Sequence, residues 1–209
     1  MMVAKKVMGD LPLTLREFVT AEKLPLAEVV GEIFEFIRAH KKHAVLFGAH
    51  AVNLYAEPQR MTLGVDVMTD KGAEAKAEQL RERLAAKFCI AVRVRRVGHR
   101  FRVFQVQKTG DRHLADIHDM TQNVCVRSFQ GLYAIDPIDL VAMKVIAFHM
   151  RANKPKGLMD RVDLERLLVA LPELRTTPNT VAESLTRLGR EDLISAWMQI
   201  ANTPLEPDD

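Results

Sequence analysis

Apolar residues recur at three- and four-residue steps through "PLAEVVGEIFEFIRAHKKH", at Val29, Val30, Ile33, Phe34, Phe36 and Ile37. That spacing predicts an amphipathic helix. Pro25 stands in its first turn and Arg38, Lys41 and Lys42 near its end, as the helix dipole favours. "LTLREFVTAEKL" predicts a shorter helix before it. "AVLF" then predicts a short buried strand that ends at Gly48, and "AHAVNLYA" a helix starting straight from the turn, stopped by Pro58. "LGVDVMT" predicts a second strand, and "DKGAEAKAEQLRERLAAKF" a long helix rich in good helix formers. "CIAVRVRRV" alternates apolar and basic residues, the pattern of a strand with one wet face. "RFRVFQVQ" and "HLADIHDM" predict two more strands joined by the turn "KTGDR", and "VCVRSF" a final edge strand.

Beyond Pro137 the period changes. "DPIDLVAMKVIAFHMRAN", "LMDRVDLERLLVALP", "PNTVAESLTRLG" and "EDLISAWMQIAN" all predict helices. The expected class is therefore α/β (α+β), a mixed sheet with flanking helices followed by a helical C-terminal part. The expected division is an arm and short helix over 1–24, an α/β domain over 25–133, a helical region over 134–202 and a disordered tail over 203–209. The 209 residues, 48% hydrophobic and 27% charged, suffice for a core without disulfides or structural zinc. Cys89 and Cys125 lie in apolar runs, which predicts buried thiols and a reducing cytoplasm. No run has the length of a membrane span and the start carries no signal-peptide pattern. A net charge of +3 permits nucleic-acid contact without arguing for it.

Three features carry candidate chemistry. The Gly48 turn opens a helix whose unpaired N–H groups favour a phosphate, although many strand-to-helix turns contain glycine without binding anything. Asp66 and Asp116 sit among apolar strand residues, where a carboxylate is costly unless paired with a cation. Either they meet at one metal ion or each pairs with one of the chain's arginines. Lys144, on an apolar helix face, either reaches a phosphate or snorkels to the surface. The basic row Arg93, Arg95, Arg96, Arg100 and Arg102 reads as a solvated strand face, with contact to RNA phosphates as the alternative. Trp197 reads as core.

The order of these features resembles the nucleotidyltransferase superfamily of the DNA polymerase β fold. The matching order is a glycine turn, a helix, Arg60 and Thr62, a strand with Asp66, a long helix, and a later strand with Asp116. The family has a Gly-Gly or Gly-Ser turn, an Asp-x-Asp on the next strand and a third carboxylate on a later one. A subgroup that resembles the abortive-infection toxin AbiEii places Arg-x-Thr before Asp-x-Asp, here Arg60-Met61-Thr62-Leu63-Gly64-Val65-Asp66. That subgroup also carries a helix lysine and a Lys…Asp-x-x-Asp pattern. Lys144, Arg151, Lys156, Asp160 and Asp163 stand in the matching places. The similarity covers about residues 30 to 170. Two departures stand out: Ala49 is the second residue of the turn, and Gly64 replaces the first aspartate.

The resemblance implies a cytoplasmic protein that binds magnesium and a nucleoside triphosphate. It gives Asp66 and Asp116 to the metal, Gly48, Ala49, Arg60, Thr62 and Lys144 to the nucleotide, and Asp66, Asp116 and Lys144 to catalysis. The expected reaction is nucleotidyl transfer to an RNA or protein acceptor, as in toxin–antitoxin relatives. Loss of one ligating carboxylate should cost about 3 kcal/mol or more, roughly a hundredfold in rate. The alternative is an inactive relative, a pseudoenzyme that binds RNA or a partner protein. His118 and Asp119 are the nearest replacement ligands, and Asp70 is too remote. Arg60 is expected to pair with Asp66 or Asp116 or to orient the turn. Asp160 and Asp163 are expected to bind basic side chains rather than metal.

Overall fold

The computed structural model describes residues 26–62, 64–107, 110–120 and 123–204. The expected arm, the helix "LTLREFVTAEKL" and the last five residues of the tail lie outside them.

The strands are β1 (Ala44–Phe47), β2 (Val65–Thr69), β3 (Val92–Val97), β4 (Arg100–Gln105), β5 (Arg112–Asp119), β6 (Val126–Phe129) and β7 (Leu132–Ile135). They form one seven-stranded sheet in the order β3-β4-β5-β2-β1-β7-β6. β2 and β5 run parallel, while β3/β4 and β4/β5 are antiparallel, so the sheet is mixed. The helices are α1 (Leu26–His40), α2 (Gly48–Tyr55), α3 (Ala73–Phe88), α4 (Pro137–Met150), α5 (Pro155–Ala170), α6 (Glu173–Thr176), α7 (Asn179–Arg187) and α8 (Ile194–Asn202). No described helix is long and apolar enough to cross a membrane.

The expected strand over "VCVRSF" forms and is an edge strand, but it is not the final one. β7 follows it across Gln130 and Gly131, both at positive φ, 48° and 80°. Two left-handed residues are what a tight hairpin demands.

The chain divides into two compact units, each assembled from three segments. The first takes the described residues up to Leu46, then Thr62–Thr121 and Phe129–Tyr133. The second takes Phe47–Met61, Gln122–Ser128 and everything from Ala134 on. α2 therefore belongs with the C-terminal helices, whereas its sequence position sets it inside the α/β stretch.

In the first unit, α1 buries Val29, Ile33, Phe36 and Ile37, and α3 buries Ala73, Ala77, Leu80 and Leu84. The α1 residues are four of the six read as its apolar stripe; Val30 and Phe34 are half-buried. Glu32 is buried between the helices and is met by Arg83 and Lys87 of α3. In the second unit, Asp136 caps α4 by accepting from the Ile138 N–H at 3.0 Å, with Pro137 in the first turn. Trp197 is fully buried, as expected, and donates its indole N–H to the Pro178 carbonyl at 2.8 Å. The cysteines depart from expectation. Both are free, but Cys125 is exposed and Cys89 half-buried, because each sits just outside an element rather than within its apolar face.

Candidate functional site: a carboxylate pair on adjacent parallel strands

The register between β2 and β5 sets Asp66 opposite Asp116. β2 buries Val65, Val67 and Thr69 and leaves Asp66 and Met68 partly open. The two-residue period thus turns Asp66 away from the apolar face. His118, two residues along β5, shares the face of Asp116. One ligand atom from each of Asp66, Asp116 and His118 lies within 4.8 Å of the others. Asp119, the other replacement considered, instead accepts the Ala73 N–H at 2.8 Å at the start of α3. Asp70 pairs with His43 at 2.7 Å.

Asp116 is buried and closely counter-charged. Arg102 of β4, its register partner, donates Nε to Oδ1 at 2.7 Å and a second N–H to Oδ2 at 3.1 Å. Arg100 Nε lies 3.5 Å from Oδ2, and His113 Nε2 lies 3.3 Å from Oδ1. Burial alone would push the Asp116 carboxyl up. His113 and Arg102, with the charge of Arg100, outweigh it and hold the group well below the usual carboxylate range. The reading in which each aspartate meets an arginine therefore holds for Asp116.

His113 reaches this face through a bulge. β4 pairs Val103 with Ala115 and Phe104 with His113, so Leu114 is an extra residue in β5. Leu114 and Ala115 are both fully buried, and the alternation resumes with His113 beside Asp116. Its ring occupies the room left by Gly64. A Cβ on Gly64 would stand 2.5 Å from His113 Cε1 and 2.6 Å from Nδ1. The space beside Gly64 is thus sterically filled by a histidine.

These donors suit one divalent ion. An ionised carboxylate offers about four lone-pair positions, and Arg102 occupies two of those on Asp116. The guanidinium then supports the carboxylate from outside, as partners of metal ligands commonly do.

The fold is nucleotidyltransferase-like. The Megavirus polyadenylate synthase superposes with a TM-score of 0.56 at 14% identity over 70% of this chain. This chain spans 32% of that protein, about a third of its length. JHP933 from Helicobacter pylori superposes at 0.50 with 13% identity, covering 84% of this chain and 90% of that one. A putative nucleotidyltransferase from H. pylori superposes at 0.50 with 14% identity, over 84% of this chain and 91% of that one. No family model matches the chain, and no curated protein matches it.

The remaining sequence candidates have these surroundings. Gly48 opens α2 at φ 66°, a left-handed conformation that a side chain would strain, which accounts for glycine at the turn. Ala49 is buried. Thr62 Oγ1 lies 3.4 Å from the Gly64 carbonyl, to which it donates. Arg60 has a carboxylate partner in Asp163 of α5. It is held bidentately by Asp163, Nε to Oδ1 at 2.5 Å and a terminal N–H to Oδ2 at 2.7 Å. Asn53 fixes the backbone beside it by donating to the Arg60 carbonyl at 2.8 Å.

Lys144 is buried rather than snorkelling. Its ammonium donates to Asp160 at 3.0 Å and Asp163 at 2.7 Å, and Arg151 completes Asp160 at 2.8 Å. Asp160 and Asp163 thus bind basic side chains, as read from the sequence. Burial would raise the Asp163 carboxyl, but Arg60 and Lys144 hold it low. In the basic row, Arg93 pairs with Asp111, and Arg100 and Arg102 belong to Asp116. Arg95 and Arg96 are the exposed members on β3.

Proposed function

We propose that the protein binds a nucleoside triphosphate with a divalent ion at Asp66 and Asp116, and transfers a nucleotidyl group slowly to a hydroxyl of an RNA or protein acceptor. The supporting observation is the register that sets the two carboxylates side by side on parallel strands, their ligand atoms within 4.8 Å. In the reaction the acceptor oxygen bonds to the α-phosphorus. The bond from that phosphorus to the leaving oxygen breaks, pyrophosphate departs with the electron pair, and the hydroxyl proton passes to solvent. A bound ion, magnesium by family resemblance, would supply charge neutralisation on the phosphates.

The chain's own part is positioning. Asp66 and Asp116 fix the ion, and Arg102 keeps Asp116 ionised and oriented. The order of motifs assigns Gly48, Ala49 and Thr62 to the triphosphate, whereas Lys144 is committed to Asp160 and Asp163. Arg60, committed to Asp163, acts through that carboxylate. The kinship with toxin-like relatives rests on the order Arg60, Thr62, Asp66, Lys144, Asp160 and Asp163. Slow turnover follows from Gly64, since positioning and electrostatics carry phosphoryl-type catalysis.

Calorimetry with each of the four triphosphates in millimolar magnesium should give saturable binding to the wild type and none to Asp66→Asn. Absence of binding for all four would remove this reading. A second reading, an inactive relative that binds RNA or a partner protein, is favoured by the His113 ring filling the space beside Gly64. Label transfer from a triphosphate by the wild type, lost in Asp66→Asn, would exclude it.

A further inference from the structure

His118 is the one member of the donor cluster that the family pattern does not call for. It lies two residues after Asp116 on β5, opposite Met68 of β2, so the pleat sets it on the face that carries both carboxylates. Its ligand nitrogen lies within 4.8 Å of a carboxylate oxygen of each aspartate. Two ligands on opposite sides of an ion at about 2.1 Å stand about 4.2 Å apart. A small side-chain rotation therefore closes all three donors on one centre.

We propose that His118 joins Asp66 and Asp116 as a third, nitrogen ligand, making a mixed oxygen–nitrogen site for a single divalent transition-metal ion that binds manganese or zinc in preference to magnesium. The proposal rests on the reading of Asp66 and Asp116 as metal ligands and adds the identity of the ion. Magnesium demands near-ideal octahedral oxygen coordination and gives up water reluctantly. Imidazole suits the borderline transition ions. A neutral imidazole adds a donor atom without changing the charge of the site. Arg102 and Arg100 disfavour a second cation beside Asp116, which limits the site to one ion.

The test uses the full chain and metal alone, without nucleotide. Manganese(II) titration followed by electron paramagnetic resonance should show one bound ion. Pulsed measurements on it should show modulation from a directly bound 14N nucleus. Competition should give manganese at least tenfold tighter binding than magnesium. His118→Ala should lose the nitrogen modulation and most of that preference while retaining a weaker oxygen-only site. His118→Asp should keep the ion and lose the nitrogen signal, which separates loss of a ligand from loss of the fold. Bound manganese with no nitrogen coupling, or equal affinity for manganese and magnesium, would overturn the role of His118 and leave the carboxylate reading intact. No bound ion in the wild type would overturn both.

Discussion

Gly64 and His113 are coupled. An aspartate placed at position 64 meets the His113 ring within van der Waals distance, since even its Cβ falls 2.5 Å from Cε1. His113 must then leave Asp116, whose carboxyl loses one of the groups that hold it ionised. Gly64→Asp alone should therefore destabilise the protein by about 1–3 kcal/mol, the usual range for overpacking. Adding His113→Ala should return most of that loss. Urea unfolding of the two single variants and the double variant measures the coupling directly, and additive effects would mean the ring and residue 64 do not compete. The sequence displays Gly64 as a gap in a pattern, but nothing in it marks what fills the gap. Strict alternation sets His113 on the opposite face from Asp116, and only the bulge at Leu114 reverses that parity. The partner of Arg60 was equally hidden, because Asp163 lies 103 residues away.

At the level of elements, pattern reading succeeds where burial is one-sided. α1 and β2 carry clean periods, and β2 owes its Asp66 orientation to that alternation. β7 was not legible. It is four residues long, with a glycine turn before it and a helix cap after it, too short to establish a period. α2 holds a different kind of information in His50. Burial and the nearby charge of Arg60 both disfavour its imidazolium, lowering its pKa from 6.5 to about 4. Between those values the unfolded chain takes up a proton that the folded chain refuses. Stability should fall as pH drops from about 6.5 toward about 4, at up to about 1.4 kcal/mol per pH unit. Denaturant midpoints collected through that window, compared with His50→Gln, should show a flatter profile in the variant. Parallel profiles would remove His50 as the cause.

Over the molecule as a whole, the division is not the one a linear reading supplies. The change of period at Pro137 marks the start of the C-terminal helices well. It cannot show that Phe47–Met61 joins the same unit. That segment brings Arg60 to Asp163 and sets Asn53, Ala56 and Pro58 against Arg166, whose guanidinium donates to the Ala56 carbonyl at 2.8 Å. A fragment of residues 134–209 leaves the fully buried Asp163 without its bidentate partner, a severe cost for a buried charge. Its thermal transition, followed by circular dichroism, should be broad and low beside that of the full chain. A sharp transition at the full-length midpoint would show that the helical segment folds unaided. The nucleotidyltransferase-like fold class, by contrast, was readable from the order of elements over about residues 30 to 170, because that order does not depend on which segments pack together.

The bulge in β5 has a consequence in the arithmetic of inheritance. A bulge is a difference in chain length, so no exchange of one side chain for another creates or abolishes it. Deleting the single codon for Leu114 would restore unbroken pairing between β4 and β5 and leave His113 opposite Phe104, two residues from Asp116 and still on its face. The room beside Gly64 would then still hold the His113 ring. The distance between this chain's present donor set and a three-aspartate one is thus counted as two substitutions, at position 113 and then at position 64, with the bulge left in place.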